Sequence, residues 1–187
     1  MKSWHRGARA LASMIVMVSL LALAGLAGTA RAATSERDTT ELGKATYIYI
    51  ATVRKDGNQS TAVPVWFTTT ADHQILIDTG PQSWKAKRIR RGSPALIWIG
   101  TRTGAALIGT AEITTDKALQ GKIIGDYPEK YLLARIWIAR PSREKFDAGK
   151  IVAIRITPVR DLPDSFASAP GTPAPALQET AKPPKAQ

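Results

Sequence analysis

Thr79, Ser83 and Lys85 lie within the segment 79–92, TGPQSWKAKRIRRG, where two hydroxyls and an ammonium fall within one short stretch of chain. The segment follows the apolar run 75–77 and passes through Gly80 and Pro81 into Lys85, Lys87, Arg88, Arg90 and Arg91. A strand that ends in turn formers and enters a basic helix suits an anion. Turn residues leave backbone N–H groups free, a helix N-terminus carries a positive dipole end, and Ser83 and Lys85 donate directly. The expected occupant is a cofactor phosphate. Lys87, Arg90 and Arg91 read instead as a solvated helix face, and Ser83 as a helix cap that shares its amides with the anion.

Other chemistries lack residues. The chain has no cysteine, so disulfides, thiolate nucleophiles and thiolate metal sites are excluded. Of its two histidines, His5 precedes an apolar leader and His73 sits in the turn sequence Ala71-Asp72-His73, where exposure is expected. No HExxH, GxSxG or Walker pattern occurs, which removes support for zinc proteolysis, serine hydrolysis and P-loop phosphoryl transfer. Glu112 and Asp116 are too isolated to form a carboxylate pair. An enzyme made from this chain relies on a cofactor, with the protein supplying position and electrostatics.

The elements that must position these residues are mainly strands. Residues 46–53 (TYIYIATV) are rich in β-branched and aromatic side chains, and Lys55-Asp56-Gly57-Asn58 supplies a turn towards 60–70 (STAVPVWFTTT). Pro64 lacks an N–H, so it demands an edge, a bulge or a bend. A third strand, 74–79, leads into the basic helix, which starts near Gln82 or Ser83 and stops at Gly92 before Pro94. Strands 95–101 and 105–114 form a second hairpin, with Gly109 marking a bulge or close backbone approach. Helix is expected from Asp116 to Ile124, a break at Gly125-Asp126, and a new helix from Pro128 to Ile136. Residues 151–159 read as a closing strand. The fold class is mainly β with accessory helices: a six-stranded antiparallel barrel.

Both ends differ in composition. Lys2, Arg6 and Arg9 precede the apolar run 10–27, and Ala30-Arg31-Ala32 offers a small-x-small cleavage pattern, so residues 1–32 read as a signal peptide and 33–44 as a linker. The run is also long enough to stay as a membrane anchor if uncleaved. Removing residues 1–32 takes four cations and no acid, and the net charge falls from +11 to +7. That surplus suits nucleic acid, anionic lipid or a phosphorylated small molecule. Export removes nucleic acid as a partner. Residues 45–162 form one domain, and 163–187, rich in Pro and Ala, read as a disordered tail.

The succession AVPVWF, TGPQSWK, KRIRRGSPALIWIG and ALIGTAEIT resembles the pyridoxamine 5′-phosphate oxidase-like split β-barrel superfamily, which includes flavin- and deazaflavin-dependent reductases. The resemblance implies a homodimer with a flavin-type cofactor, FMN in the oxidases, in a cleft between subunits. Thr79, Ser83 and Lys85 match the Thr, Ser and Lys of the family's FMN-phosphate motif, and with Asp78 and Trp84 they complete the implied phosphate segment. Val65 and Trp66 fall where the family's second strand lines the isoalloxazine ring. The chain departs from the oxidases at Trp84, where they carry Arg, and at Val63 and Thr68, where they carry Arg and Lys. Lys87 and Arg88 are the candidate replacements.

Two functions follow as expectations. The first is an exported FMN-binding split-barrel protein acting as a flavin-dependent oxidoreductase, without a nameable protein acid or base. The alternative is a non-catalytic periplasmic binding protein of the same fold that carries deazaflavin, haem or a lipid.

Overall fold

The computed structural model describes residues 41–136, 140–163 and 165–177. The expected signal peptide, most of the linker and residues 178–187 of the expected tail lie outside the described residues.

Strands β1 (Ile48–Thr52), β2 (Val63–Val65), β3 (Thr68–Thr69), β4 (Ile75–Thr79), β5 (Ala95–Ile99), β6 (Ala106–Thr114) and β7 (Val152–Leu162) form one sheet in the order β2-β1-β5-β6-β7-β4-β3. Every pairing is antiparallel. The sheet has seven strands, because the expected strand 60–70 divides at Trp66-Phe67 and its halves occupy opposite edges. Extended chain rises about 3.3 Å per residue, so Val65 and Thr68 stand no more than about 10 Å apart. The two edges must therefore approach one another, and the sheet curls into a split barrel. Pro64 accepts its place because β2 is an edge strand with one neighbour.

Alternation sorts the side chains between two buried faces. Ile48, Ile50, Ile75, Ile77, Ile97, Ile99, Ile154 and Ile156 fill the barrel interior with Phe67 and Leu107. Their sequence neighbours Leu96, Trp98 and Ile108 point outward but are also buried, as is Leu76 elsewhere on the outer surface. Strand β5 is consequently buried at all five positions. This explains its unbroken apolar run. At Gly109 the β6–β7 register slips, and an added Cβ would lie 2.6 Å from the Thr157 carbonyl oxygen. The expected bulge and the expected close approach both occur there.

Helices α1 (Trp84–Ile89), α2 (Lys117–Lys130), α3 (Leu132–Arg135) and α4 (Arg143–Asp147) fill the connections. The expected break at Gly125-Asp126 is absent, since α2 runs on through Pro128 to Lys130. Gln120, Ile123 and Tyr127 are buried on one face, where Ile123 and Tyr127 pack in a cluster with Leu76, Ala153 and Phe146. That burial outweighs the roughly 1 kcal/mol an exposed interior glycine costs. Two tyrosines at the end of α2 also secure the barrel's closure. Tyr127 Oη donates to the Trp66 carbonyl at 2.9 Å, while Tyr131 Oη accepts from Phe67 N at 2.9 Å and donates to Phe67 O at 3.0 Å. The crossover between sheet edges has no ladder partner of its own, and these hydroxyls satisfy it.

Residues 165–177, within the Pro- and Ala-rich end of the chain, pack on the outer face of the barrel. The Phe166 ring stacks on Trp98 at 5.8 Å, its carbonyl accepts from Trp98 Nε1 at 2.9 Å, and Ala174 and Leu177 pack on the same outer cluster. Gln59 N donates to Thr172 O and Gly171 N to Gln59 O, joining the segment to the β1–β2 connection. Composition misses this, because one aromatic ring at the right place covers an apolar face that β5 and β6 leave open.

Candidate anion-binding site

β4 ends where the barrel interior opens towards α1, and the alternation of β4 places Ile77 and Thr79 on one side and Asp78 on the other. Ser83 caps α1 by accepting from Ala86 N at 3.3 Å. Ala86 and Ile89 are buried and anchor the helix, and Gly92, at φ 81°, turns the chain into β5. Strand end and helix start together bring the expected trio into a chain of contacts. Lys85 Nζ donates to Thr79 Oγ1 at 3.2 Å, and Thr79 Oγ1 donates to Ser83 Oγ at 3.1 Å.

Ser83, Trp84 and Lys85 line a cavity of about 310 Å³ together with Arg88, Arg54, Thr52, Ser60, Thr61, Ile50 and Val63. Three cationic groups thus face one space whose lining, among the described residues, holds no carboxylate and no imidazole. Arg88 Nη1 donates to Thr52 Oγ1 at 3.3 Å, which fixes the guanidinium at the cavity wall. Trp84 is 68% exposed, and its ring carries Arg88 and Lys87, each 5.4 Å from the ring centre. The residue that departs from the oxidase motif therefore holds a cation at the site.

Burial pushes the Lys85 ammonium below the usual lysine range, and the Asp78 carboxyl within its field pulls partly back. Burial likewise raises the Asp78 carboxyl, against the neighbouring Tyr127 hydroxyl and the charge of Lys85. Arg88 is lowered first by partial burial and then by repulsion from Arg54 and Arg91. A set of cations that are dehydrated or repel one another gains by meeting an anion. A phosphate fits these residues: hydroxyl, ammonium and guanidinium donors converge, and no acid stands among the described lining residues.

Not every expected residue joins this cavity. Asp78 lies on the opposite side of β4, beside Tyr127. Val65 packs against the interior cluster, and the Trp66 ring stacks on Tyr131 at 4.7 Å and 7°. None of Thr79, Val65 and Trp66 is part of the cavity lining, and Thr79 meets it only through its bonds to Ser83 and Lys85. Arg54, Thr52 and Ser60 were not anticipated. The period-two pattern could have found Arg54, because Ile50, Thr52 and Arg54 follow one another on one face of the chain leaving β1.

The remaining acids and the histidine are accounted for elsewhere. Glu112 pairs with Arg155 across the β6–β7 ladder, and Asp116 caps α2 by accepting from Ala118 N at 2.8 Å. His73 is exposed in its turn, at φ 62°. Among the described residues no group of acids or histidines could hold a metal ion.

Residues 28–161 match the family model of pyridoxamine 5′-phosphate oxidase. Among solved structures, a Listeria innocua protein provisionally named as such an oxidase superposes with a TM-score of 0.52 at 16% identity, over 68% of this chain and 94% of that one. General stress protein 26 of Bacillus anthracis aligns at 0.50 and 24% identity, over 66% and 88%. A Bacteroides thetaiotaomicron protein, provisionally described as a 5-nitroimidazole antibiotic resistance protein, aligns at 0.51 and 14%, over 67% and 80%. At these identities the structures show a shared fold. No curated protein sequence matches.

Proposed function

The chain belongs to the pyridoxamine 5′-phosphate oxidase family, and from that premise we propose that it is an exported FMN-binding protein working as a flavin-dependent oxidoreductase. The observation that carries this reading is the contact chain Lys85–Thr79–Ser83, which opens with Arg88 onto a cavity free of acids. Lys85 and Ser83 would hold the phosphate, with Thr79 positioning both through its hydroxyl and Arg88 and Arg54 taking the place of the cations missing at Trp84, Val63 and Thr68. A bound flavin supplies reversible hydride and electron transfer. The protein binds and orients it. Lys85 and Arg88 neutralise its phosphate, and Ile50 and Val63 exclude water from the apolar side of the cavity.

Export rests on the basic start, apolar run and Ala30-Arg31-Ala32 of the leader. Among the described residues no helix is long and apolar enough to cross a membrane. We assign a homodimer by family, and Leu132, Leu133 and Ile136, which are 69%, 49% and 51% exposed, offer apolar surface that a second copy could cover. The same cavity supports a second reading. Its lining contains no carboxylate or imidazole, which favours a carrier of flavin, deazaflavin or another anionic ligand over an enzyme that moves protons with its own side chains.

Titration of the purified protein with FMN, followed by flavin fluorescence, tests the reading. Lys85→Ala removes one charge-assisted contact, and affinity should fall about 10–100-fold, corresponding to roughly 1.5–3 kcal/mol. Thermal stability should stay the same or rise, because a partly desolvated ammonium is removed. Absence of FMN binding by the intact protein sinks the proposal. Bound flavin that exchanges no electrons with added reductants and acceptors leaves the carrier reading.

A further inference from the structure

We propose that the outer face of α1, with Trp84 at its centre, docks the protein on an anionic phospholipid surface. The partner is a bilayer and not a bound small molecule, and the proposal shares with the functional reading only the premise of export.

Trp84 stands three and four residues before Lys87 and Arg88, and these stand four and three before Arg91, so all four share one face of α1 and its C-terminal turn. Ala86 and Ile89 are buried on the other face. Trp84 remains 68% exposed even though Lys87 and Arg88 each lie 5.4 Å from its ring centre. The β1–β2 connection adds Arg54 and Lys55, which meet Arg88 and Arg91 along one groove. Val63, itself 39% exposed, lines the cavity with Trp84 and gives the same opening a second apolar group. From Thr79 to Ala111 the chain holds six cations, Lys85, Lys87, Arg88, Arg90, Arg91 and Arg102, and no acid. None of Arg54, Lys55, Lys87, Arg88 or Arg91 takes part in an ion pair between described residues. The acid whose field reaches Arg54 and Arg88 is Asp56, and its exposed carboxylate accepts from Asn58 N at 3.0 Å.

Cations at the end of a helix complement its dipole, and a lone exposed apolar residue is ordinary. The dipole does not account for Arg54 and Lys55, which come from another element, nor for an indole left in water among them. A membrane interface selects that combination. Ammonium and guanidinium groups meet lipid phosphates, while an indole settles at headgroup depth with its polar edge wet and its ring against the acyl chains. Nucleic acid would use the same cations, but the basic start and apolar run of residues 1–27 address the chain to a bilayer.

Quenching of tryptophan fluorescence by brominated acyl chains tests this on the full chain, in vesicles of phosphatidylcholine alone and of phosphatidylcholine mixed with phosphatidylglycerol. The leader is common to every variant, so the difference between wild type and Trp84→Phe reports the face itself. That difference should appear in the mixed vesicles, be absent from phosphatidylcholine and fade as salt is raised. Each cation near an anionic surface is worth about fivefold in affinity, so Lys55→Gln/Lys87→Gln/Arg91→Gln should raise the lipid concentration for half-quenching by at least about tenfold. A control of equal charge loss on α2 and after α4, Lys117→Gln/Lys122→Gln/Lys150→Gln, should leave it unchanged. Absence of Trp84-dependent quenching in the mixed vesicles, or equal loss in the two triple variants, overturns the proposal. So does retardation of single-stranded DNA by a chain whose Trp84 the vesicles leave unquenched, which would give the face to nucleic acid.

Discussion

Asp78 and Lys85 sit on adjoining elements with shifts of opposite direction, and each ionises at a cost in the fold. For Asp78 the folded carboxyl is raised above its unfolded value near 3.8. Its contribution to stability is then fully present below that unfolded value and is lost as pH rises through the folded one. Asp78→Asn removes the ionised form. Thermal melts of variant and wild type should show the variant gaining most at pH 7, with the difference shrinking as pH falls towards 4. A difference that grows on acidification would mean that the carboxylate is a favourable partner of Lys85 and Tyr127. At this scale Ser83 and Lys85 were legible as donors where a strand end enters a basic helix, and Thr79 through the match of the trio to the family's phosphate motif. The period-two pattern puts Thr52 and Arg54 on one face of the chain leaving β1, but their share in the site depends on how the β1–β2 hairpin lies against α1. The Trp66 ring stacks on Tyr131, and in sequence an aromatic residue beside a ligand strand reads the same whether its ring meets a cofactor or a neighbouring ring.

The elements most easily read were those whose fate is decided locally: the hairpins, the Gly109 bulge and the capped start of α1. The division of 60–70 and the continuity of α2 are tertiary outcomes, and they are linked. The chain leaves one sheet edge and joins the other at Trp66-Phe67, and the backbone groups freed by that crossing need Tyr127 and Tyr131, which α2 delivers only by continuing past Gly125. Tyr131→Phe keeps the ring stack on Trp66 and removes only the hydroxyl. It leaves the Phe67 N–H and carbonyl buried without that partner, and should cost roughly 1–3 kcal/mol. Urea unfolding checks this, with the midpoint lowered and the slope unchanged. A variant as stable as wild type would show that water replaces the hydroxyl and that the crossover is less enclosed than its geometry indicates.

At the scale of the whole barrel domain, the segment 165–177 couples stability to the proposed site. It covers the outer face of β5 and β6 through Phe166, and it holds the β1–β2 connection through Gln59, Asn58 and Gly57, with Ala174 N donating to Gly57 O at 3.0 Å. That connection carries Arg54 and Lys55. Composition could not reveal this coupling, because a Pro- and Ala-rich stretch reads as unable to offset its ordering entropy unless a prepared surface awaits it. A chain ending at Leu162 should lose the Phe166 stack on Trp98, the partner of Trp98 Nε1 and the bridge between Asn58 and Pro173. Phe166→Ala alone, which keeps the backbone bonds, should cost about 2 kcal/mol, and the truncation more. The two changes separate packing from tethering. Phe166→Ala lowers the melting temperature and leaves FMN affinity nearly unchanged, whereas truncation lowers both, because Arg54 then rides on a hairpin released from its anchor. Equal FMN affinity in the truncated and intact chains would show that β1 and α1 position Arg54 without the strap, and the role of 165–177 would reduce to covering Trp98.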